Sequence, residues 1–197
     1  MAKRARRLFR GGRIVDLGGG HGLLAQAMLL LDDSSPSAIV VDKVLPPSSA
    51  KLHDALVQAW PRLAGRVEFV ARELDEVDIL PTDVVVSSHA CGDLTDRVLE
   101  RATAARARVA VLPCCHHLAT RSGFGICDLA FESRIASSES RELSPRDAGT
   151  LSGWVENSVA IDVVRALRLK QQGYRIWTQT IPATITPKNR LLLGSLP

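Results

Sequence analysis

The stretch Val15-Asp16-Leu17-Gly18-Gly19-Gly20-His21-Gly22 joins an acidic residue to a turn with glycine at alternate positions. A backbone comes this close to a nucleotide-like ligand only where side chains are absent, so Gly18, Gly20 and Gly22 read as a cradle. Spacing decides which cradle. A dinucleotide fingerprint takes G-x-G-x-x-G, and its last glycine would fall on Leu23; the chain reads G-x-G-x-G instead. An NAD-dependent reductase is therefore disfavoured.

Three further groups carry possible chemistry. Asp42 closes the second apolar run, at the distance from the turn where a carboxylate accepts two hydrogen bonds from a ribose diol; the plainer alternative is a surface aspartate in a β–α turn. Two segments, Ser87-Ser88-His89-Ala90-Cys91-Gly92-Asp93-Leu94-Thr95-Asp96 and Leu112-Pro113-Cys114-Cys115-His116-His117, gather titratable residues just beyond apolar runs. Such clustering is poor design for stability alone, which favours a functional reading. In one reading His89, Asp93 and His116 position an acceptor hydroxyl or amine and take its proton, a task that suits imidazole near neutral pH. In a second, His89, Cys91, Cys115 and His116 bind zinc, although the compact ligand pairs of structural sites are missing. In a third, the thiols are small buried hydrophobes and the histidines bond to backbone. The first reading is adopted, with no metal assigned.

These residues need a scaffold at strand ends, and the hydropathy pattern supplies one. Apolar runs at Arg13–Leu17, Ala38–Val41, Arg66–Val70, Asp83–Ser87 and Val109–Leu112 read as strands. Between them lie helix-like segments: Leu23–Leu31 with Leu24, Met28 and Leu31 on one stripe, a helix capped by Ser48 or Ser49 with Leu52, Leu56 and Trp60, and one from about Asp93 with Leu94, Val98 and Ala102. The alternation predicts a parallel sheet covered on both faces, with all strand C-termini on one edge. His116–Gly153 loses periodicity and is expected to hold short helices or a lid. Trp154–Gln172 predicts a helix with Val155, Val159, Val163 and Leu167 on one face, stopped by Gly173. Tyr174–Ile181 and Arg190–Leu196 are too close for a crossover helix and predict an antiparallel pair.

The acidic residue before G-x-G-x-G resembles motif I of class I S-adenosylmethionine (SAM)-dependent methyltransferases. That resemblance implies a Rossmann-like α/β fold: a seven-stranded, mostly parallel sheet with a C-terminal antiparallel hairpin and helices on both faces. It also implies SAM as cofactor, with Asp16, Gly18, Gly20, His21 and Gly22 around its methionine end, Asp42 at the ribose, Glu73 and Leu74 at adenine with Asp75 as the neighbouring alternative register, and Lys43 and Ser87 among the cofactor-binding residues. More narrowly, H-x-C-G-x-x-T-D at His89–Asp96, C-C-H-H at Cys114–His117 and Thr186-Pro187-Lys188-Asn189-Arg190 resemble a methyltransferase group that includes tRNA 2′-O-methyltransferases of the Trm-thirteen type. RNA, and tRNA ribose above all, is the acceptor this implies; a small-molecule or protein acceptor and a non-catalytic SAM-binding module are the alternatives.

At 197 residues, 46% hydrophobic and 23% charged, the chain suits one folded domain, set at 13–197, behind a basic segment at 1–12. Lys3, Arg4, Arg6, Arg7, Arg10 and Arg13 have no acidic residue among them, so they read as a handle for nucleic acid or as a frayed tail. Arg165, Arg168 and Lys170 are expected to face RNA or solvent, and His53 to lie on the surface. No apolar run reaches the roughly 20 residues of a membrane span, and the N-terminus lacks an apolar signal core. A cytoplasmic location with reduced thiols at Cys91, Cys114, Cys115 and Cys127 is expected. A phosphate loop of the G-x-x-x-x-G-K-[ST] type and an Asn-Pro-Pro-aromatic tetrapeptide are both absent. Phosphoryl transfer and the familiar amino-methylating nucleic-acid enzymes are thus disfavoured.

Overall fold

The computed structural model describes residues 1–88, 90–114, 156–187 and 189–197. His89, Cys115, His116, His117, Lys188 and the expected lid at His116–Gly153 lie outside the described residues.

Continuous apolar runs become the strands β1 (Ile14–Leu17), β2 (Ala38–Asp42), β3 (Val67–Ala71), β4 (Val84–Ser88) and β5 (Arg108–Leu112). Two more, β6 (Arg175–Thr180) and β7 (Arg190–Ser195), form the expected antiparallel pair. The sheet order is β3-β2-β1-β4-β5-β7-β6, parallel through the first five and antiparallel where β7 meets β5. The chain thus runs outward from β1 to β3, then restarts beside β1 at β4. That reversal opens a crevice at the C-terminal ends of β1, β2 and β4, where open α/β sheets bind ligands.

Alternate strand residues feed two cores, as the pleat demands. Val15, Leu17, Val85 and Val109 join one, with Val98, Leu99 and Ala102 of α4 (Leu94–Ala104) and Leu169 of α5 (Asn157–Gln171). Ile14, Val40, Val84 and Ala110 join the other, with Ala5 of α1 (Ala2–Leu8) and Ala25, Met28 and Leu29 of α2 (Leu23–Leu31). Helix α3 (Ser49–Ala59) lies more loosely, with Leu56 partly buried and Trp60 exposed. No helix among the described residues is long and apolar enough to cross a membrane.

Two expected helix faces need correction. In α2 the buried stripe is Ala25, Met28 and Leu29, while Leu31 is 44% exposed. Almost every α2 position is apolar, so periodicity could not choose between stripes. In α5 the buried face is Ile161, Val164, Arg165 and Leu169, and Val163 is 48% exposed. Val159, Val163 and Leu167 instead line an open groove of about 330 Å³ against β6 and β7. Arg165, expected on a solvated or RNA-facing surface, is fully buried. Nor does the N-terminal segment fray: Ala5, Arg6 and Phe9 are buried, and Phe9 meets Trp177 edge-on at 6.0 Å. Arg6 lies 3.4 Å from Asp32 and donates to the Met28 carbonyl.

Candidate functional site

The turn after β1 is shaped by packing as much as by openness. The Gly18 and Gly19 amides both donate to the Val41 carbonyl, at 2.8 and 3.1 Å, which folds the turn over the end of β2. Gly18, Gly20 and Gly22 have φ of +68, +51 and +71°, the left-handed region that favours glycine. A Cβ on Gly22 would sit 2.8 Å from the Phe69 ring, and one on Gly19 would sit 2.7 Å from Val40. Gly19, which a reading at alternate positions passes over, is therefore required by contact with β2. Gly20 differs: the nearest atom to a Cβ there is Asp42 Oδ2 at 3.9 Å. Among the described residues, its outer side is open over the crevice.

Two carboxylates flank this turn. Asp16 points from β1 toward α2, where its Oδ2 accepts from the Ala25 amide at 3.2 Å. Its Oδ1 is buried and has no hydrogen-bond partner among the described residues. Burial, reinforced by the nearby Asp42 charge and only partly offset by the Ala25 bond, pushes the Asp16 pKa up to about 7. Asp42, at the end of β2, accepts from the Gly20 amide at 2.9 Å. The expected ribose residue is thus fastened to the expected cradle.

The neighbouring candidates lie on the same sheet edge. Lys43 and Glu73 form an ion pair at 2.8 Å across the β2 and β3 ends. The Glu73 hydrogen bond raises the Lys43 pKa, and its Lys43 counterpart lowers that of Glu73. Leu74 is buried at the start of a 3₁₀ turn and packs into the core. Ser87 donates to the Leu17 carbonyl at 2.6 Å, tying β4 to the root of the glycine turn. His21 is exposed and its Nε2 lies 2.8 Å from Ser48 Oγ. His53 is not a plain surface residue: it is half-buried, with Nδ1 2.9 Å from Gln26 Oε1 and its ring edge-on to Phe69.

On the β4 side, the motif H-x-C-G-x-x-T-D divides into parts. Thr95 donates to the Ala90 carbonyl at 2.5 Å. Asp96 accepts two bonds from Arg165, at 2.6 and 2.9 Å, with both side chains fully buried. Arg165 also donates to the Gly92 carbonyl at 3.3 Å, and Asp162 joins it to Arg190. Thr95 and Asp96 therefore build the loop that carries Cys91 and Asp93, with α5 as its brace. Sequence reasoning missed Arg165 in this role, since its partner is 69 positions away. Asp93 is exposed just before α4. Cys91 and Cys114 bring their Sγ atoms within 3.0 Å. No metal-binding group of three or more His, Cys, Asp or Glu occurs among the described residues; His89, Cys115 and His116 of the zinc reading are outside them.

A parallel unit reversed at β1 and β4, ending in an antiparallel hairpin and carrying this acidic-flanked glycine turn, is the fold of class I SAM-dependent methyltransferases. Residues 3–122 match the profile of the family described as "Methyltransferase domain", and the chain belongs to that family. Similar solved structures include a candidate rRNA methylase from Clostridium thermocellum, at TM-score 0.57 and 10% identity, covering 98% of this chain and 92% of that one. A candidate O-methyltransferase from Nostoc punctiforme matches at TM-score 0.54 and 14% identity, over 98% of this chain and 53% of that one. An O-methyltransferase family protein from Burkholderia thailandensis matches at TM-score 0.50 and 18% identity, over 94% and 51%. The chain spans about half the length of these two O-methyltransferase relatives. At such identities the likeness is one of fold. No curated protein sequence matches the chain significantly. SAM is the cofactor of the class, and the residues present fit it: a glycine cradle whose outer side is open among the described residues, beside a buried carboxylate oxygen with no hydrogen-bond partner among them.

Proposed function

We propose that this chain transfers a methyl group from SAM to RNA, with a tRNA ribose 2′-hydroxyl as acceptor, in the cytoplasm. The observation that carries methyl transfer is the glycine turn at the sheet's switch point, with Asp16 Oδ1 unsatisfied beneath it and Asp42 bonded to its centre. The RNA acceptor is supported by the H-x-C-G-x-x-T-D, C-C-H-H and T-P-K-N-R motifs, and by exposed Lys3, Arg7 and Arg10 on and just after α1. The likeness in fold to a candidate rRNA methylase agrees with it.

When bound, SAM supplies an electrophilic methyl group on a sulfonium. Asp16 and the Gly18–Gly22 backbone, with His21, would hold the methionine end. Asp42 would accept from the ribose hydroxyls, Glu73, paired with Lys43, and Leu74 would border adenine, and Ser87 would lie near the glycine turn. Asp93, His89 and His116 are the residues assigned to the acceptor. A histidine ring nitrogen would take the proton from the acceptor hydroxyl, and alignment of that hydroxyl would supply much of the acceleration.

Two outcomes follow. Labelled SAM incubated with fractionated cellular RNA, protein and metabolites should place label in tRNA as an alkali-resistant 2′-O-methyl linkage. Label confined to protein or metabolites would contradict the RNA assignment. Secondly, Asp16 must be ionised to meet a cationic ligand, so SAM affinity should rise with pH. With a pKa of about 7, affinity at pH 7.5 should exceed that at pH 6 by roughly eightfold. The sign for stability is opposite. A carboxylate raised by burial leaves the empty protein most stable below its ordinary value of 3.8, and that contribution is lost as pH rises through about 7. Asp16→Asn should flatten both profiles in calorimetry, and unchanged profiles would remove Asp16 from the account.

A further inference from the structure

We infer that Cys91 and Cys114 are a redox couple that peroxide converts into a reversible disulfide, stapling the ends of β4 and β5 on the acceptor side of the site. The placement follows from the sheet. Ser88 and Leu112 are paired neighbours on parallel β4 and β5, so Cys91 and Cys114 leave adjacent strands three and two residues later. Their sulfurs are 3.0 Å apart, about 1 Å more than an S–S bond, so a small rotation closes the gap. The loop is also held for the reaction: Thr95 fixes the Ala90 carbonyl and Arg165 the Gly92 carbonyl, one on each side of Cys91. Exposure is unequal in a useful way. Cys91 is exposed and open to a small oxidant, whereas Cys114 is buried and placed to resolve the product.

The Cys91 thiolate attacks one peroxide oxygen, the O–O bond breaks, and Cys91 becomes a sulfenic acid as hydroxide leaves. The Cys114 sulfur then attacks the Cys91 sulfur; the S–O bond breaks and water departs with the Cys114 proton. In sum the two thiols give two electrons and two hydrogens to one peroxide, yielding two waters. A dithiol reductant reverses the bond by exchange. Transient disulfides of this kind are the sort that reducing compartments admit.

That this end of the sheet is the acceptor side rests on the proposed function, but the disulfide does not. The folded chain is treated with hydrogen peroxide, quenched with an alkylating agent, and mapped by peptide mass. A link between Cys91 and Cys114 is expected, removed by dithiothreitol, lost in Cys91→Ser and Cys114→Ser, and retained in Cys115→Ser. Thermal melting confirms that each variant is folded. The inference is overturned if the folded wild-type chain forms no link, or if Cys114→Ser still cross-links through Cys91. Failure of the reduced protein to bind SAM would instead count against the proposed function and leave this pair standing.

Discussion

Arg165→Ala is expected to lower the stability of the chain by about 3–5 kcal/mol, because it leaves Asp96 as an uncompensated charge in the interior. Both side chains are fully buried, and the guanidinium meets the carboxylate with two bonds. In a chain of this size the loss corresponds to a fall in melting temperature on the order of 10 °C. The same change frees the Gly92 carbonyl and disconnects α5 from the loop after β4. Arg165→Lys keeps the charge but not the planar fork, so it should recover only part of the loss. Replacing both partners, as Arg165→Met with Asp96→Leu, should cost far less than either single alanine, since no charge is then stranded. Denaturant unfolding of Arg165→Ala, Asp96→Ala, Arg165→Lys and the double variant measures this. A single Arg165→Ala loss below about 1 kcal/mol would show that the buried pair does not brace the loop.

The second large effect separates two glycines that look alike in the sequence. Gly20→Ala places a methyl group above the crevice with nothing among the described residues closer than 3.9 Å. The fold should survive with a backbone cost of about 1–3 kcal/mol for the left-handed conformation. SAM affinity should nevertheless fall at least about tenfold, because that space is where a ligand meets the backbone. Gly22→Ala puts its methyl 2.8 Å from Phe69 and 2.9 Å from Val40. Overpacking and the left-handed backbone together should cost about 2–5 kcal/mol before any ligand is added. Melting curves paired with SAM titrations resolve the two. Equal losses of stability with equal SAM affinity would refute the division of labour.

The strands were legible because buried parallel strands are short continuous apolar runs, and the hairpin because Tyr174 and Arg190 lie too close for a crossover. The glycine turn was legible as a turn because close backbone approach needs glycine at fixed spacing, and Asp42 as its neighbour because it ends the second apolar run. What escaped depended on partners distant in sequence. Hydropathy excludes an arginine from a buried stripe, yet Arg165 is the centre of one, made possible by Asp96 on another helix. Helix α1 was hidden by its own basic residues: Ala5 and Phe9 carry its buried side, and the Arg6 charge is met by Asp32. Gly22 read only as part of the cradle and Gly19 was passed over; that Val40 and Phe69 leave no room for a Cβ at either needs the packed sheet to see. His53 looked superficial until Gln26 and Phe69 supplied its neighbours.

The central claim, that the turn at Gly18–Gly22 with Asp42 is a SAM site, is tested most directly by calorimetric titration of SAM into the chain and into Asp42→Ala at pH 7.5, with NADH titrated in parallel. Saturable SAM binding is expected, weakened about tenfold or more in Asp42→Ala through the loss of hydrogen bonds to a charged acceptor, with NADH binding weaker than SAM. Tighter binding of NADH than of SAM, or SAM affinity unchanged in Asp42→Ala, would contradict the account.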